Sequence, residues 1–88
     1  IGDQFVGSDL FAAALQRDLA PVVGAVEIAA LSVPWPETPL QHSAEVKEFV
    51  GDPAAVAAVA QDADVLLTHV APVTQAVIDA APNLRIVG

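Results

Sequence analysis

The residues best suited to chemistry are few, and they sit where apolar runs give way to polar side chains. Thr68 and His69 interrupt the run Val65-Leu66-Leu67, and Val70-Ala71-Pro72 follows. A histidine at the carboxyl end of a strand can donate to a ligand oxygen or titrate near neutral pH. The commoner role is a loop histidine bonded to backbone, and the Thr68 hydroxyl is more often structural than a ligand contact. Asp3 and Gln4 follow the apolar opening Ile1-Gly2 and point to the same edge as Thr68-His69 if the sheet is parallel. The simpler expectation for Asp3 is a solvated turn aspartate. His42 lies in a polar stretch and is expected at the surface. No histidines are paired at i, i+4 and cysteine is absent, so no metal site is expected. The stretch Gly2 to Ser8, GDQFVGS, lacks both the GxGxxG spacing and the lysine of a phosphate loop. No nucleophile is accompanied by its base, so no complete active site and no catalytic residue is expected.

These side chains must be placed by regular elements. Val65-Leu66-Leu67 is rich enough in branched side chains for a buried strand. Pro72 closes the loop after it, Thr74 is placed to cap a helix, and Val77, Ile78 and Ala81 give that helix an apolar stripe. Pro82-Asn83 ends it, and Leu84 to Val87 restarts as a strand. Earlier, Ile1 to Gly7 reads as a strand end and exit loop. Ser8 then serves as N-cap of a helix that buries Leu10, Phe11, Ala14, Leu15 and Leu19 and ends near Ala20-Pro21. A second strand is predicted over Ala25 to Ser32. Pro34-Trp35-Pro36 excludes regular structure, and Trp35 there either anchors a partner or covers the core edge. Glu37 to Ala44 is read as a polar loop with room for a helical turn. Glu45 to Val50 alternates as a short edge strand, with helix as the alternative. Asp52-Pro53 opens a helix running to about Gln61, with Val56, Val59 and Ala60 facing the sheet. Strands alternating with helices predict a doubly wound parallel sheet with right-handed crossovers, in which ligands bind at the strands' carboxyl ends.

Composition narrows the partners. The chain has 88 residues, 55% of them hydrophobic and only 5% aromatic, so its core must be built from small side chains. A domain of this size buries roughly 60–65% of its unfolded surface. Eleven acidic side chains face three basic ones, Arg17, Lys47 and Arg85, for a net charge of −8. Phosphate binding needs clustered Lys and Arg, so neither nucleic acid nor an anionic membrane is an expected partner. The apolar segments are too short to span a bilayer, which takes roughly 20 residues. The absence of cysteine fits a reducing compartment and a cytoplasmic location. Ile1-Gly2 reads as a strand whose beginning is missing and Gly88 follows an apolar run directly. The chain is therefore expected to be a segment of a longer protein, with residues 1–88 the amino-terminal portion of one domain.

The stretch Leu66 to Gly88, LLTHVAPVTQAVIDAAPNLRIVG, resembles the amino-terminal part of the D-isomer-specific 2-hydroxyacid dehydrogenases, the group that includes phosphoglycerate, glycerate and D-lactate dehydrogenases. Val73-Thr74, Ala80-Ala81-Pro82, Leu84 and Val87-Gly88 carry the likeness. Leu10-Phe11 and Val50-Gly51-Asp52-Pro53 support it more loosely. The resemblance implies a flavodoxin-like substrate-binding domain, interrupted in the family by a Rossmann domain that carries NAD. It implies that Thr68, His69 and Val70 line the cleft for a 2-hydroxy or 2-oxo acid. The family's Arg-Ser pair is here Thr68-His69, which leaves the preference for a phosphate or carboxylate open. NAD or NADP, the catalytic Arg, Glu and His, and a homodimer contact would all belong to parts outside this chain. The protein would then be an NAD(P)-dependent oxidoreductase supplying here one wall of its substrate cleft.

Two other readings remain. A non-catalytic flavodoxin-like or receiver-type module would act by protein contact; a receiver needs paired acids after its first strand and a late lysine, and no lysine follows Lys47. A flavin module needs a Ser/Thr-rich phosphate loop where the chain has Gly-Asp-Gln-Phe.

Overall fold

A computed structural model describes residues 1–35 and 40–88. The expectations for Pro36 and for Glu37 to Pro39 in the polar loop lie outside the described residues. The chain forms a small α/β fold whose named strands make a two-stranded parallel sheet. In chain order the elements are α1 (Ser8–Ala14), a π-helical segment (Leu15–Leu19), α2 (Ala20–Val23), α3 (Pro53–Ala60), β1 (Val65–Leu66), α4 (Gln75–Asp79) and β2 (Ile86–Val87). Val65 pairs with Ile86 and Leu66 with Val87.

Backbone hydrogen bonds extend this pairing to four extended segments lying side by side. The Ile1 nitrogen donates to the Leu67 carbonyl, beside β1. On the other flank of the same segment, the Gly2 amide donates to the Leu31 carbonyl and the Val33 amide to the Gly2 carbonyl, each at 2.9 Å. Beyond β1, the Gly88 amide donates to the Leu66 carbonyl and the Thr68 amide to the Gly88 carbonyl, again at 2.9 Å. The lateral order is residues 31–33, then 1–2, then β1, then β2. The predicted strand Ala25 to Ser32 is thereby reduced to a single parallel bridge, Gly2 with Ser32. After Gly2 the partner segment leaves the pairing, because the Asp3 amide donates to the Val6 carbonyl and turns the chain back on itself.

The helices depart from expectation at their ends. Gly7, not Ser8, is the N-cap of α1, and no side chain caps it. The Ser8 nitrogen instead lies against Gly2, where an added Cβ would come within 2.1 Å. The first helix also continues past Ala20-Pro21 to Val23 through the wide π turn. Pro21 has no N–H to give the Arg17 carbonyl and its ring crowds that carbonyl, so a widened register just before it lets the helix continue. Leu10, predicted buried, is 60% exposed. Further on, Asp52 caps α3 as expected, accepting from the Ala54 amide at 2.9 Å with Pro53 opening the helix. Gly51 precedes it at φ +103°, a backbone conformation that a Cβ disfavours. Thr74 caps α4 as expected, accepting from the Val77 amide at 3.4 Å.

The edge strand predicted over Glu45 to Val50 is reduced to one antiparallel bridge, Gln41 with Phe49, closed by a turn in which the Ser43 hydroxyl accepts from the Glu45 and Val46 amides. Past Phe49 the chain turns to another neighbour, because the Val50 amide donates to the Val70 carbonyl. The core is built of small side chains, as the composition requires: Val33, Val50, Val56, Ala60, Leu66, Ala71, Val77 and Ala81. Ile78 is not part of it but 46% exposed. On a helix of five residues one face alone is buried; Val77 occupies it, and Ala81, just past the helix end, joins the same core. No helix among the described residues is long and apolar enough to cross a membrane.

Candidate functional site

Two loops leave the carboxyl ends of neighbouring extended segments, one after Gly2 and one after Leu67. From residues 1–2 the chain crosses to residues 31–33 on one flank, then returns to β1 on the other. The loops therefore diverge between residues 1–2 and β1, the place in an open α/β sheet where a crevice forms. Asp3 and His69 meet there. The His69 Nδ1 lies 2.7 Å from the Asp3 Oδ2.

Asp3 is not the solvated turn residue expected from sequence. Its side chain is 1% exposed. The reason is local: its Oδ1 accepts from the Phe5 amide at 2.7 Å and the Val6 amide at 3.0 Å, and its own amide donates to the Val6 carbonyl. An aspartate that bonds the backbone two and three residues ahead folds a turn around its own carboxylate. Burial by itself would raise the Asp3 pKa. The Val6 and Phe5 amides and the His69 ring outweigh it and hold the carboxyl below its ordinary range.

An ionised carboxylate only accepts hydrogen bonds, so the proton between the pair sits on Nδ1 of His69. In the neutral ring Nε2 then carries the free lone pair. The His69 side chain is 46% exposed, so it remains accessible while its orientation is fixed. Neutral, Nε2 accepts from a hydroxyl; protonated, it donates to a carbonyl or carboxylate. A carboxylate–imidazole pair with one open nitrogen is a polar anchor for an oxygen-bearing ligand.

The other two predicted cleft residues serve this loop structurally. The Thr68 hydroxyl accepts from the Ala71 amide at 3.2 Å, and the Val70 carbonyl accepts from the Val50 amide at 2.9 Å. The structure thus brings His69 to Asp3 at the strand exits and turns Thr68 and Val70 to holding its loop. His42 is exposed and takes no part. Among the described residues, no three His, Asp or Glu side chains gather where a metal ion could be held.

Sequence reasoning missed the aromatic flank. Phe5 and Trp35 pack edge to face, with ring centroids 4.7 Å apart and planes at 89°. Phe5 lies just beyond Asp3 and Trp35 just beyond Val33, so both leave the same edge of the sheet as His69. The only signal for this was the registration of two parallel segments, which one sequence does not display. A groove of about 700 Å³ lies elsewhere, between Leu15, Leu19, Val23 and the amino ends of β1 and β2. It does not include Asp3 or His69.

No protein-family model, curated protein or solved structure matches the chain.

Proposed function

We propose that this chain is the substrate-binding segment of an NAD(P)-dependent oxidoreductase acting on D-2-hydroxy acids, of the phosphoglycerate dehydrogenase-like kind. The observation that carries the proposal is the bond from His69 to Asp3, which joins the two diverging strand-exit loops and fixes an imidazole whose side chain is nearly half exposed. The lateral order of the four extended segments supports a flavodoxin-like sheet, in which the second strand lies on one flank of the first and the third on the other. The likeness of Leu66 to Gly88 to the dehydrogenases points in the same direction.

In this reading His69 positions the substrate by accepting from its 2-hydroxyl or, when protonated, donating to the oxygen of a 2-oxo acid. Thr68 and Val70 hold the loop that carries it. The glycines, at 2, 7, 24, 51 and 88, provide no dinucleotide loop. The residues of this chain do not fit the cofactor, and no step of hydride transfer runs through them. Nicotinamide binding, the acid/base histidine and a homodimer contact belong to parts of a cytoplasmic enzyme outside this sequence.

The test is NADH oxidation by the protein purified from its natural source, against a panel of 2-oxo acids. Turnover that falls at least tenfold in His69→Ala through KM supports the proposal. Saturating NADH and every acid without turnover would sink it. A second reading, a non-catalytic α/β module acting by protein contact, draws on β2, where Ile86 and Val87 are 58% and 49% exposed. It predicts no turnover, and loss of partner binding when Ile86→Lys is introduced.

A further inference from the structure

The chain contains three phenylalanines and one tryptophan; Phe49 is buried and Phe11 half-buried, while Phe5 and Trp35 are the two exposed rings. Phe5 is 62% exposed and Trp35 36% exposed. In a protein whose interior is made of valine and alanine, large apolar rings left in water call for an explanation. These two are not scattered. They stand at right angles, 4.7 Å between centroids, so together they form a corner that leaves ring surface free for a third flat apolar group. Edge-to-face and offset contacts of this kind stabilise aromatic clusters beyond the area they bury.

The corner is tied to the polar anchor. The Phe5 amide donates to Asp3 Oδ1 and the other carboxylate oxygen, Oδ2, meets His69 Nδ1, both at 2.7 Å. One buried carboxylate therefore sets the position of the exposed ring and of the exposed imidazole. The parallel bridge between Gly2 and Ser32 brings Trp35 to the same sheet edge. A ligand at this edge would meet an apolar corner at one end and a hydrogen-bonding nitrogen at the other.

We propose that the Phe5–Trp35 pair is the specificity-determining surface of this site, and that it selects a 2-oxo or 2-hydroxy acid bearing an aromatic side chain over a short aliphatic one. The inference rests on reading the His69 edge as a 2-hydroxy-acid site. The ring of the ligand packs in the corner, and its oxygen-bearing end reaches His69. The acidic character of the chain does not oppose this, because an aromatic acid carries a single charge and most of its contact is apolar.

Calorimetric titration of the natural full-length protein with phenylpyruvate and with pyruvate tests it, in the wild type, Phe5→Ala and Trp35→Leu. Phe5 is largely exposed, so its truncation leaves the fold intact; circular dichroism checks both variants. The expected result is phenylpyruvate binding at least tenfold tighter than pyruvate in the wild type, with that ratio reduced at least fivefold in Phe5→Ala. A ratio unchanged in both variants overturns the inference, as does wild-type binding that favours pyruvate. Turnover of pyruvate with NADH and no aromatic preference would overturn the inference and keep the dehydrogenase reading. Aromatic preference that depends on Phe5, without NADH oxidation, would support the inference and remove the dehydrogenase.

Discussion

His69 and Asp3 are 66 positions apart in the chain and 2.7 Å apart in space. The bond closes the gap between two loops that diverge on either side of the first extended segment. It also divides labour between an ordered partner and an accessible one: the carboxylate is buried and fully bonded, and the imidazole keeps nearly half its side-chain surface in solvent. That asymmetry makes distinct predictions for the two residues.

Removing the charge at Asp3 is expected to weaken the fold. Asp3→Asn loses charge-assisted hydrogen bonds in a buried setting and should cost about 2 kcal/mol near neutral pH. Because the folded-state pKa lies below the ordinary value of 3.8, the ionised carboxylate contributes stability that is complete above 3.8. That contribution is lost as pH falls through the lower folded value. Urea unfolding at pH 6 and at pH 3 should show the gap between wild type and variant narrowing in acid. A gap of the same size at both would show that the charge does not carry the effect.

His69→Ala behaves differently. The ring is too exposed for its ion pair to stabilise strongly, so the change in stability should stay below about 1 kcal/mol. Nitrogen-15 NMR of neutral His69 should report the Nδ1–H tautomer. Asp3→Ala should release it, and the mixture should move toward the Nε2–H form usual for a free imidazole. An Nε2–H ring in the wild type would contradict the assignment of the proton.

Gly2→Ala tests how closely the strand exit and α1 approach. The new Cβ would come 2.1 Å from the Ser8 nitrogen and 2.7 Å from the Gly7 carbonyl carbon, both backbone atoms that cannot swing away. The helix start must shift, at a cost of about 3 kcal/mol. Because Asp3 follows directly, Gly2→Ala should also weaken ligand binding at His69. A thermal scan together with the pyruvate titration reads both effects.

Helix α4 has only five residues and depends on its amino end. Thr74 accepts from the Val77 amide, and Glu45, from a different loop, accepts from the Gln75 amide at 2.6 Å. Thr74→Ala should cost about 1 kcal/mol. Glu45→Gln should cost less, since the pair is exposed. Val77→Ala, at a position with no exposure, should cost about 2 kcal/mol through lost burial and the cavity left behind. Denaturant midpoints of the three variants give the order directly. Loss at Val77 smaller than at Glu45 would mean that α4 is not packed as described.

The sequence by itself determined what depends on neighbours along the chain. Asp52-Pro53 and Thr74 announce their helices because capping needs only a side chain within three residues of the amide it serves. Val65-Leu66 and Ile86-Val87 declare strands by their branched side chains, and the alternation of strand and helix gave an α/β fold. His69 stood out because it interrupts an apolar run. Tertiary structure decided everything that rests on pairing across the chain. Which segment lies beside which is set by hydrogen bonds between distant backbones, and these shortened the strand expected over Ala25 to Ser32 to one bridge. Pairing also turned Asp3 from an expected surface residue into a buried acceptor, because the Phe5 and Val6 amides and His69 satisfy the charge that burial would otherwise oppose. The Phe5–Trp35 corner belongs to the same class. Each ring alone is an ordinary loop aromatic, and only the parallel placement of their two strand exits brings them into contact.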